Sequence, residues 1–469
     1  MLSPTMNAST PTNTIQILGA GPVGCLAATL LSQRGFQTRI YERRSDSRKQ
    51  GAYGGRSINL ALSDRGFMSL AKAGLDGEIK SVGLPMSGRM VHHKGGQVGY
   101  QPYGQEGQAI YSVSRSGLNF KLMDLAEAHG IPIHFEARCL EVDLVQKSLQ
   151  MESPQGQHRE TYSVLLGTDG AYSALRGSLQ KTDRFDYSQT YLPHGYKELH
   201  IPPTASGDFA MDPGGLHIWP RGQYMMIALP NPDRSFTCTL FMPYEADPGR
   251  GVRVGLNDLH TDEAVQAFFE EDFADTLPFM PDLLRDFHHN PTSSLMTVRC
   301  APWNYDAALI LGDAAHAIVP FYGQGLNAGF EDVRVLTDFL DQAGLQPDSE
   351  AGLWAEVFAA FAQARKADAD AIAQLALDNF VEMRDKVADP RFVYQKRLEA
   401  RMQERHPRRW IPLYSQVTFQ PEIPYHQAYR HGQDQQHFMD RILDQIPEES
   451  REDWDWIDRM LDREMETLP

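Results

Sequence analysis

Residues 14–42 read TIQILGAGPVGCLAATLLSQRGFQTRIYE, and the architecture can be worked outward from them. Residues 14–18 are a short apolar run. Gly19-Ala20-Gly21-Pro22-Val23-Gly24 follows, and 22–34 reads as a helix: Pro sits early, Ala and Leu dominate, and Gly35 stops it. Residues 37–42 form a second predicted strand, so the chain opens as a βαβ unit. In that setting GxGxxG has a physical meaning. Gly19 permits the tight turn, Gly21 lets a pyrophosphate approach the backbone, and Gly24 lets helix and strand pack closely. The helix N-terminus then faces the phosphates. Glu42 stands 18 residues after Gly24. A carboxylate there accepts from both ribose hydroxyls and repels a 2′-phosphate, which suits the ADP half of FAD or NAD and disfavours NADP.

Two later segments repeat the strand-then-loop pattern. Residues 164–166 are apolar and precede Gly167-Thr168-Asp169-Gly170-Ala171-Tyr172-Ser173-Ala174-Leu175-Arg176, of the form DGxxSxxR. Residues 308–311 (ALIL) precede Gly312-Asp313-Ala314-Ala315-His316, which leads to Pro320-Phe321-Tyr322-Gly323-Gln324-Gly325-Leu326-Asn327. Alone, each is explained by a turn with a capping Asp; together and in order they are not. A second GxGxxG after a strand, expected where a separate nicotinamide domain exists, is not found. Nor is a CxxC redox pair.

Between these signatures the character changes. Residues 194–243 are rich in Tyr, Phe, Trp, Thr, Met and Pro, with turns at Pro213-Gly214 and Asn231-Pro232, and predict an antiparallel sheet. Residues 118–129 have helical periodicity ending at Gly130. Past Gly329 the chain is mostly helical, with Ala-rich runs such as 357–373. Residues 434–469 carry twelve acidic and four basic residues, yet Phe438, Ile442, Leu443, Ile446, Trp454, Ile457 and Leu461 allow amphipathic helices.

Composition bounds the rest. With 469 residues, 42% hydrophobic and 22% charged, the chain can build two or three packed units around an enclosed site. The formal charge of −17 argues against nucleic-acid binding, which needs a basic face. Cys25, Cys139, Cys238 and Cys300 are far apart and have no zinc spacing, so they read as buried thiols in a reducing compartment. No metal site is expected. No apolar stretch reaches the ~18–20 residues of a spanning helix. Residues 1–13 read as a disordered leader rather than a signal peptide. These readings place the protein in the cytoplasm.

The DGxxSxxR and GD segments resemble the later signatures of flavin-dependent aromatic hydroxylases. The resemblance sharpens at 55–63 (GRSINLALS), 88–90 (GRM), 102–104 (PYG), 194–199 (HGYKEL), 217–220 (HIWP), 308–332, 379–384 (NFVEMR) and 411–414 (IPLY). Over about 14–429 the chain resembles the kynurenine 3-monooxygenase family, part of tryptophan catabolism and pyridine nucleotide biosynthesis. The acidic tail replaces the membrane anchor of eukaryotic members. The implied fold is α/β: a Rossmann-type FAD-binding domain (14–85, 105–185 and 295–335), an antiparallel-sheet substrate domain (86–104 and 186–294) and a C-terminal helical region (336–469).

The resemblance implies noncovalent FAD, with NADPH and O2 as co-substrates and L-kynurenine as substrate; the product is 3-hydroxykynurenine, formed through a flavin C4a-hydroperoxide. Flavin contacts are implied for Gly19, Gly21, Val23, Gly24, Glu42, Arg43, Arg44, Ala61, Arg115, Leu140, Asp169, Asp313, Gly325, Leu326 and Asn327. A salt bridge explains Arg115 nearly as well. Asp313 would hold the ribityl chain, and the helix begun by 323–327 would point its N-terminus at the flavin pyrimidine, stabilising anionic reduced flavin. Arg89 would pair with the substrate carboxylate as a planar fork. Tyr103 and Tyr414 would donate hydroxyls, and Asn379 would orient the head group. Phe321 and Tyr322 would line the ring pocket, although core packing accounts for Phe321 equally well. An aniline is already activated beside its nitrogen, so no catalytic residue beyond the flavin is nominated, and His316 reads as a structural hydrogen-bonder. Two alternatives stay open: a hydroxylase of another aryl amine or aromatic acid, and a non-catalytic flavin-binding protein. NADPH against NADH, and monomer against homodimer, are also open.

Overall fold

The computed structural model describes residues 14–49, 59–383 and 389–465. The 1–13 leader, the first part of 55–63, Arg384 and the last four residues lie outside the described residues.

The opening unit forms as its residues dictate. Thr14–Leu18 is buried along its whole length, as its unbroken apolar character requires in a sheet covered on both faces. It pairs in parallel with Gln37–Tyr41 on one side and Val164–Gly167 on the other. Ala308–Ile310 extends the parallel set and Asn304–Tyr305 closes it antiparallel, giving six strands with Ile133–His134 at the far edge. Helix Pro22–Ser32 starts on its proline and buries eight of its residues. It stops just short of the predicted Arg34, because Gly35 takes φ +85° in the reversing turn. Helix Arg115–Ala128 starts three residues before the predicted 118, because the Ser114 hydroxyl accepts the Gly117 N–H and caps it.

The second sheet has seven strands, ordered Thr292–Ala301, Asp186–Ile201, Phe236–Pro243, Tyr224–Pro230, Gly215–Arg221, Gly88–His92 and Val98–Pro102. Most neighbours are antiparallel, but Gly88–His92 joins Gly215–Arg221 in parallel. One correction concerns the boundary expected at 295. It falls inside Thr292–Ala301, which pairs with Asp186–Ile201, so the sheet keeps the chain through Ala301.

The sheet has two apolar faces. One packs under the helices Asp262–Asp272 and Leu283–His289. The other meets the 31-residue helix Ala351–Val381 and the short helix Leu413–Phe419 through Ile372, Leu375, Ala376, Phe380 and Val417. The Ala-rich run predicted at 357–373 is the middle of that longer helix.

The acidic tail folds as amphipathic helices. Tyr425–Gln445 and Trp454–Met465 pack with Pro390–Arg405 around Leu398, Met402, Trp410, Phe438, Ile442, Ile457 and Leu461. Its carboxylates meet the basic face of 390–405: Arg401 reaches Asp458 at 2.7 Å, Arg405 pairs with Asp462, and Arg391 reaches Asp444 at 2.9 Å. No described helix is long and apolar enough to cross a membrane.

Candidate active site

The three loop signatures, far apart in sequence, converge at the C-terminal ends of the parallel strands. The Thr168 hydroxyl donates to the Leu18 carbonyl at 2.8 Å and the Gly19 carbonyl at 3.1 Å. Leu311 N–H donates to the Gly167 carbonyl at 2.9 Å. Val23 meets both Gly312 and Gly329; a Cβ on Gly329 would come within 2.8 Å of its methyl.

The glycine loop forms a cradle. A Cβ on Gly24 would stand 2.1 Å from the Gly19 carbonyl oxygen, so only glycine fits there. A Cβ on Gly21 would meet nothing within 4 Å, which leaves open the approach a pyrophosphate needs. Glu42 ends the second strand with its carboxylate accepting the Ala20 N–H at 3.0 Å and the Arg44 N–H at 2.9 Å. Ala137 N–H donates to the Glu42 carbonyl, and Glu136 N–H to that of Arg44. The following strand, Arg138–Asp143, therefore starts beside the acid and presents Leu140, which is exposed like Arg43 and Arg44.

Asp169 caps the next helix, accepting from Ala174 N–H at 2.7 Å, and burial pushes its carboxyl up. Asp313 begins the helix Asp313–His316 with its side chain exposed and without a partner among the described residues. Arg115 is exposed too, and among the described residues it makes no ion pair, so the salt-bridge account finds no support. Helix Gly325–Gln342 begins at Gly325, after Gly323 turns in the left-handed region (φ +69°). Leu326, next to it, is partly buried against the core. The Asn327 side chain is fully engaged: it donates to the Ala61 and Gly323 carbonyls at 2.9 and 3.0 Å and accepts from Ser63 N–H at 3.0 Å. It braces the strand bearing Ala61, and its amide has no hydrogen left for a flavin.

A second group lies against the large sheet. The rings of Tyr103 and Tyr414 stack at 4.9 Å and those of Tyr322 and Tyr414 at 5.5 Å. The Arg89 guanidinium carbon sits 5.5 Å from the Tyr103 ring centre and 5.3 Å from that of Tyr414. Its Nε is buried with no hydrogen-bond partner. No carboxylate pairs with it among the described residues. Burial opposes its charge, but Tyr103, Tyr414 and Glu382 more than offset this, so it stays cationic. Burial pushes the Tyr103, Tyr414 and Tyr322 hydroxyls up, which keeps them as O–H donors at neutral pH. Gly88 makes this placement possible: a Cβ there would strike the Gln101 carbonyl at 2.4 Å.

Asn379 differs from expectation in its contacts. It is buried, and its amide donates to the Phe321 carbonyl at 2.6 Å, so it holds the 320–322 turn rather than joining the Arg89 group. Phe321 stacks on Phe380 at 4.4 Å and meets Phe241 at 4.9 Å, as a core ring does. His316 is buried behind the GD loop and shares a 2.5 Å hydrogen bond with Asp332, whose carboxylate also accepts Gly312 N–H and the Arg365 guanidinium. The Asp332 charge outweighs burial and holds the imidazole pKa above its usual value.

Arg365 also reaches Glu331 at 3.1 Å, and Glu331 pairs with buried Arg65 at 3.0 Å; this charge network was not foreseen from sequence. Its visible signal in the sequence is the adjacent pair Glu331-Asp332 in the largely apolar stretch 325–336.

The FAD binding domain family matches residues 12–343. A kynurenine 3-monooxygenase of Flavobacterium psychrophilum is 44% identical over 432 residues, covering 92% of this chain and 93% of the relative. One of Myxococcus xanthus is 44% identical over 425 residues, covering 90% and 88%. Among solved structures, a 2-methyl-3-hydroxypyridine-5-carboxylic acid oxygenase matches with TM-score 0.62 at 19% identity, over 81% of this chain and 95% of that one, which shows a shared fold.

Proposed function

Because the chain belongs to the kynurenine 3-monooxygenase family, we propose that it hydroxylates L-kynurenine to 3-hydroxykynurenine on bound FAD, using NADPH and O2, with Arg89, Tyr103 and Tyr414 holding the substrate's amino-acid end. The observation that carries the reading is the Arg89 group. A guanidinium with no salt-bridged carboxylate among the described residues, Glu382 acting on it only as a nearby charge, its Nε orphaned and two phenol rings beneath it, is suited to a carboxylate from outside the chain.

The residues present fit FAD. The open face at Gly21, the Gly24 contact, Glu42 at the strand end and exposed Asp313, with no hydrogen-bond or ion-pair partner among the described residues, suit a pyrophosphate cradle, a ribose acceptor and a ribityl acceptor. Arg43, Arg44, Ala61, Arg115, Leu140 and the backbone at Gly325–Asn327 belong to the same reading. When bound, FAD supplies hydride acceptance and oxygen activation.

The chain's residues supply placement. Arg89 and the two tyrosine hydroxyls fix the carboxylate, so the substrate ring has one way to lie toward Phe321 and Tyr322. Orienting the ring in this way, rather than proton transfer, is what the site contributes. The substrate's own amine activates the neighbouring carbon. The tyrosines remain protonated, and His316 is occupied with Asp332, so neither serves as a base. The reading extends to a cytoplasmic enzyme, monomeric or homodimeric; its four free thiols support a reducing compartment.

The test is NADPH consumption by purified FAD-loaded protein with and without L-kynurenine, with the product identified by mass. Substrate-stimulated oxidation yielding the 3-hydroxy product is expected. Stimulation by another aryl amine and none by kynurenine would move the substrate assignment. FAD binding with no stimulated turnover would make the chain a flavin-binding protein.

A further inference from the structure

Arg65 makes contacts that neither flavin binding nor the substrate group explains. It is 1% exposed, on helix Asp64–Lys72 directly after the segment carrying Ala61 and Ser63. Its guanidinium reaches helix Leu413–Phe419, the element that carries Tyr414. Nε donates to the Val417 carbonyl at 2.6 Å. Nη2 reaches the carbonyls of Gln416 at 3.4 Å, Gln420 at 3.3 Å and Ile423. Nη1 pairs with Glu331 at 3.0 Å. The Tyr425 ring lies beneath, its centre 4.0 Å from the guanidinium carbon.

The carbonyls fall at the end of the short helix and in the turn after it. The last four carbonyls of a helix lack intrahelical partners and form its negative pole. A cation that collects them caps the helix and fixes its roll and position. On the other side, Gly66 packs so tightly that a Cβ would stand 2.4 Å from the Asn327 oxygen. The helix of Arg65 is therefore locked to the flavin-side helix Gly325–Gln342. One side chain joins the rigid flavin framework to the element bearing a substrate tyrosine.

We infer that Arg65 is a positioning residue for substrate binding: by gathering the carbonyls at the end of Leu413–Phe419, it sets Tyr414 against Tyr103 and Arg89. This rests on the reading of Tyr414 as a substrate contact. Glu331 does not depend on Arg65 alone, because Arg334 and Arg365 also reach it at 3.0 and 3.1 Å. Replacing Arg65 thus falls mainly on the carbonyls. Lysine keeps the charge but cannot span carbonyls from 416 to 423 with a planar fork.

The experiment is a double-mutant cycle with Arg65→Lys, Tyr414→Phe and their combination, reading KM for kynurenine and the FAD dissociation constant. A misplacement of about 1 Å can cost roughly a hundredfold. Arg65→Lys is accordingly expected to raise KM by roughly 10- to 100-fold, with FAD affinity within about twofold of wild type. If Arg65 acts through Tyr414, adding Arg65→Lys to Tyr414→Phe raises KM little further. Multiplying effects in the double variant, an unchanged KM in Arg65→Lys, or parallel losses of FAD and substrate binding would overturn the inference and leave the substrate site standing. An unchanged KM in Tyr414→Phe would remove Tyr414 from the substrate site, and the inference with it. If Arg65→Lys does not fold, Tyr425→Leu, which removes the ring beneath the guanidinium, takes its place in the same cycle. Because the Tyr425 hydroxyl also donates to Gln324 at 3.0 Å, its KM and FAD affinity are compared with those of Tyr425→Phe, which keeps the ring and loses only that bond, and the same expectations hold relative to that variant.

Discussion

Replacing Arg89 by methionine keeps an unbranched stem and removes the guanidinium fork. The strand it sits on is held by backbone pairing to Leu216 and Gln101, which does not involve the side chain, so the fold is expected to survive. In the free enzyme no described carboxylate forms a salt bridge with the guanidinium, and Glu382, whose charge favours it, is only partly buried, so its removal strands no directly paired carboxylate. The cost appears when substrate binds and its carboxylate meets two phenol hydroxyls without a cation. Truncating one partner of a buried charged pair costs about 2–5 kcal/mol. At about 1.4 kcal/mol per tenfold, kcat/KM falls by roughly 30-fold to several thousandfold. The assay compares kynurenine with its decarboxylated analogue, which lacks the anion and should lose far less. FAD content should match wild type, because Arg89 lies outside the three flavin loops. An equal loss for both substrates would indicate a defect in the fold or flavin, and no loss for kynurenine would place the carboxylate elsewhere.

Glu42→Ala is expected to weaken FAD binding by roughly 10- to 150-fold, since a hydrogen bond to a charged group is worth about 1.5–3 kcal/mol and this carboxylate also props Ala20; an unchanged dissociation constant from flavin fluorescence would exclude it. His316→Gln probes the pair with Asp332. The imidazole's folded pKa is raised, so its stabilisation is complete below about pH 6.5 and is lost as pH rises through the folded value. The Tm gap between wild type and variant should therefore narrow as pH increases from 6.5, and a constant gap would refute this. Leu461→Ala opens a hole in the tail cluster and should cost about 2–5 kcal/mol in denaturant unfolding if the C-terminal helices unfold with the rest. Full-length protein should not cosediment with anionic vesicles at physiological salt, because the tail presents acidic residues where such surfaces attract basic ones.

Much of this molecule was legible where a short stretch carries its own constraint. Thr14–Leu18, the proline-led helix after it and the glycine loop follow from local sterics and periodicity. So do Val164–Gly167 and Ala308–Ile310, each set off by a loop of small residues. What depended on distant partners was not legible. Nothing near Gly88–His92 says that it will lie parallel to Gly215–Arg221, and the start of Arg115–Ala128 depended on one serine rotamer. Asn379 was read for its polarity, and the partner its amide finds, the Phe321 carbonyl, is a contact that exists only once two distant segments meet. Arg65 was invisible as a functional candidate for the same reason. A charged side chain reads as surface until the carbonyls and acids that compensate it have been assembled around it.

The parallel seam between Gly88–His92 and Gly215–Arg221 also sets an order of assembly. On a growing chain the hairpin bearing Arg89 is made early, but its partner strand lies about 125 residues downstream. At roughly 5–20 residues per second, that is a wait of roughly 6–25 s with an unpaired strand edge. Tyr414 arrives later still. A flavin domain matched by residues up to 343 can therefore close while the proposed carboxylate site is only half made, and a segment synthesised after it, Leu413–Phe419, brings the last of the proposed substrate contacts.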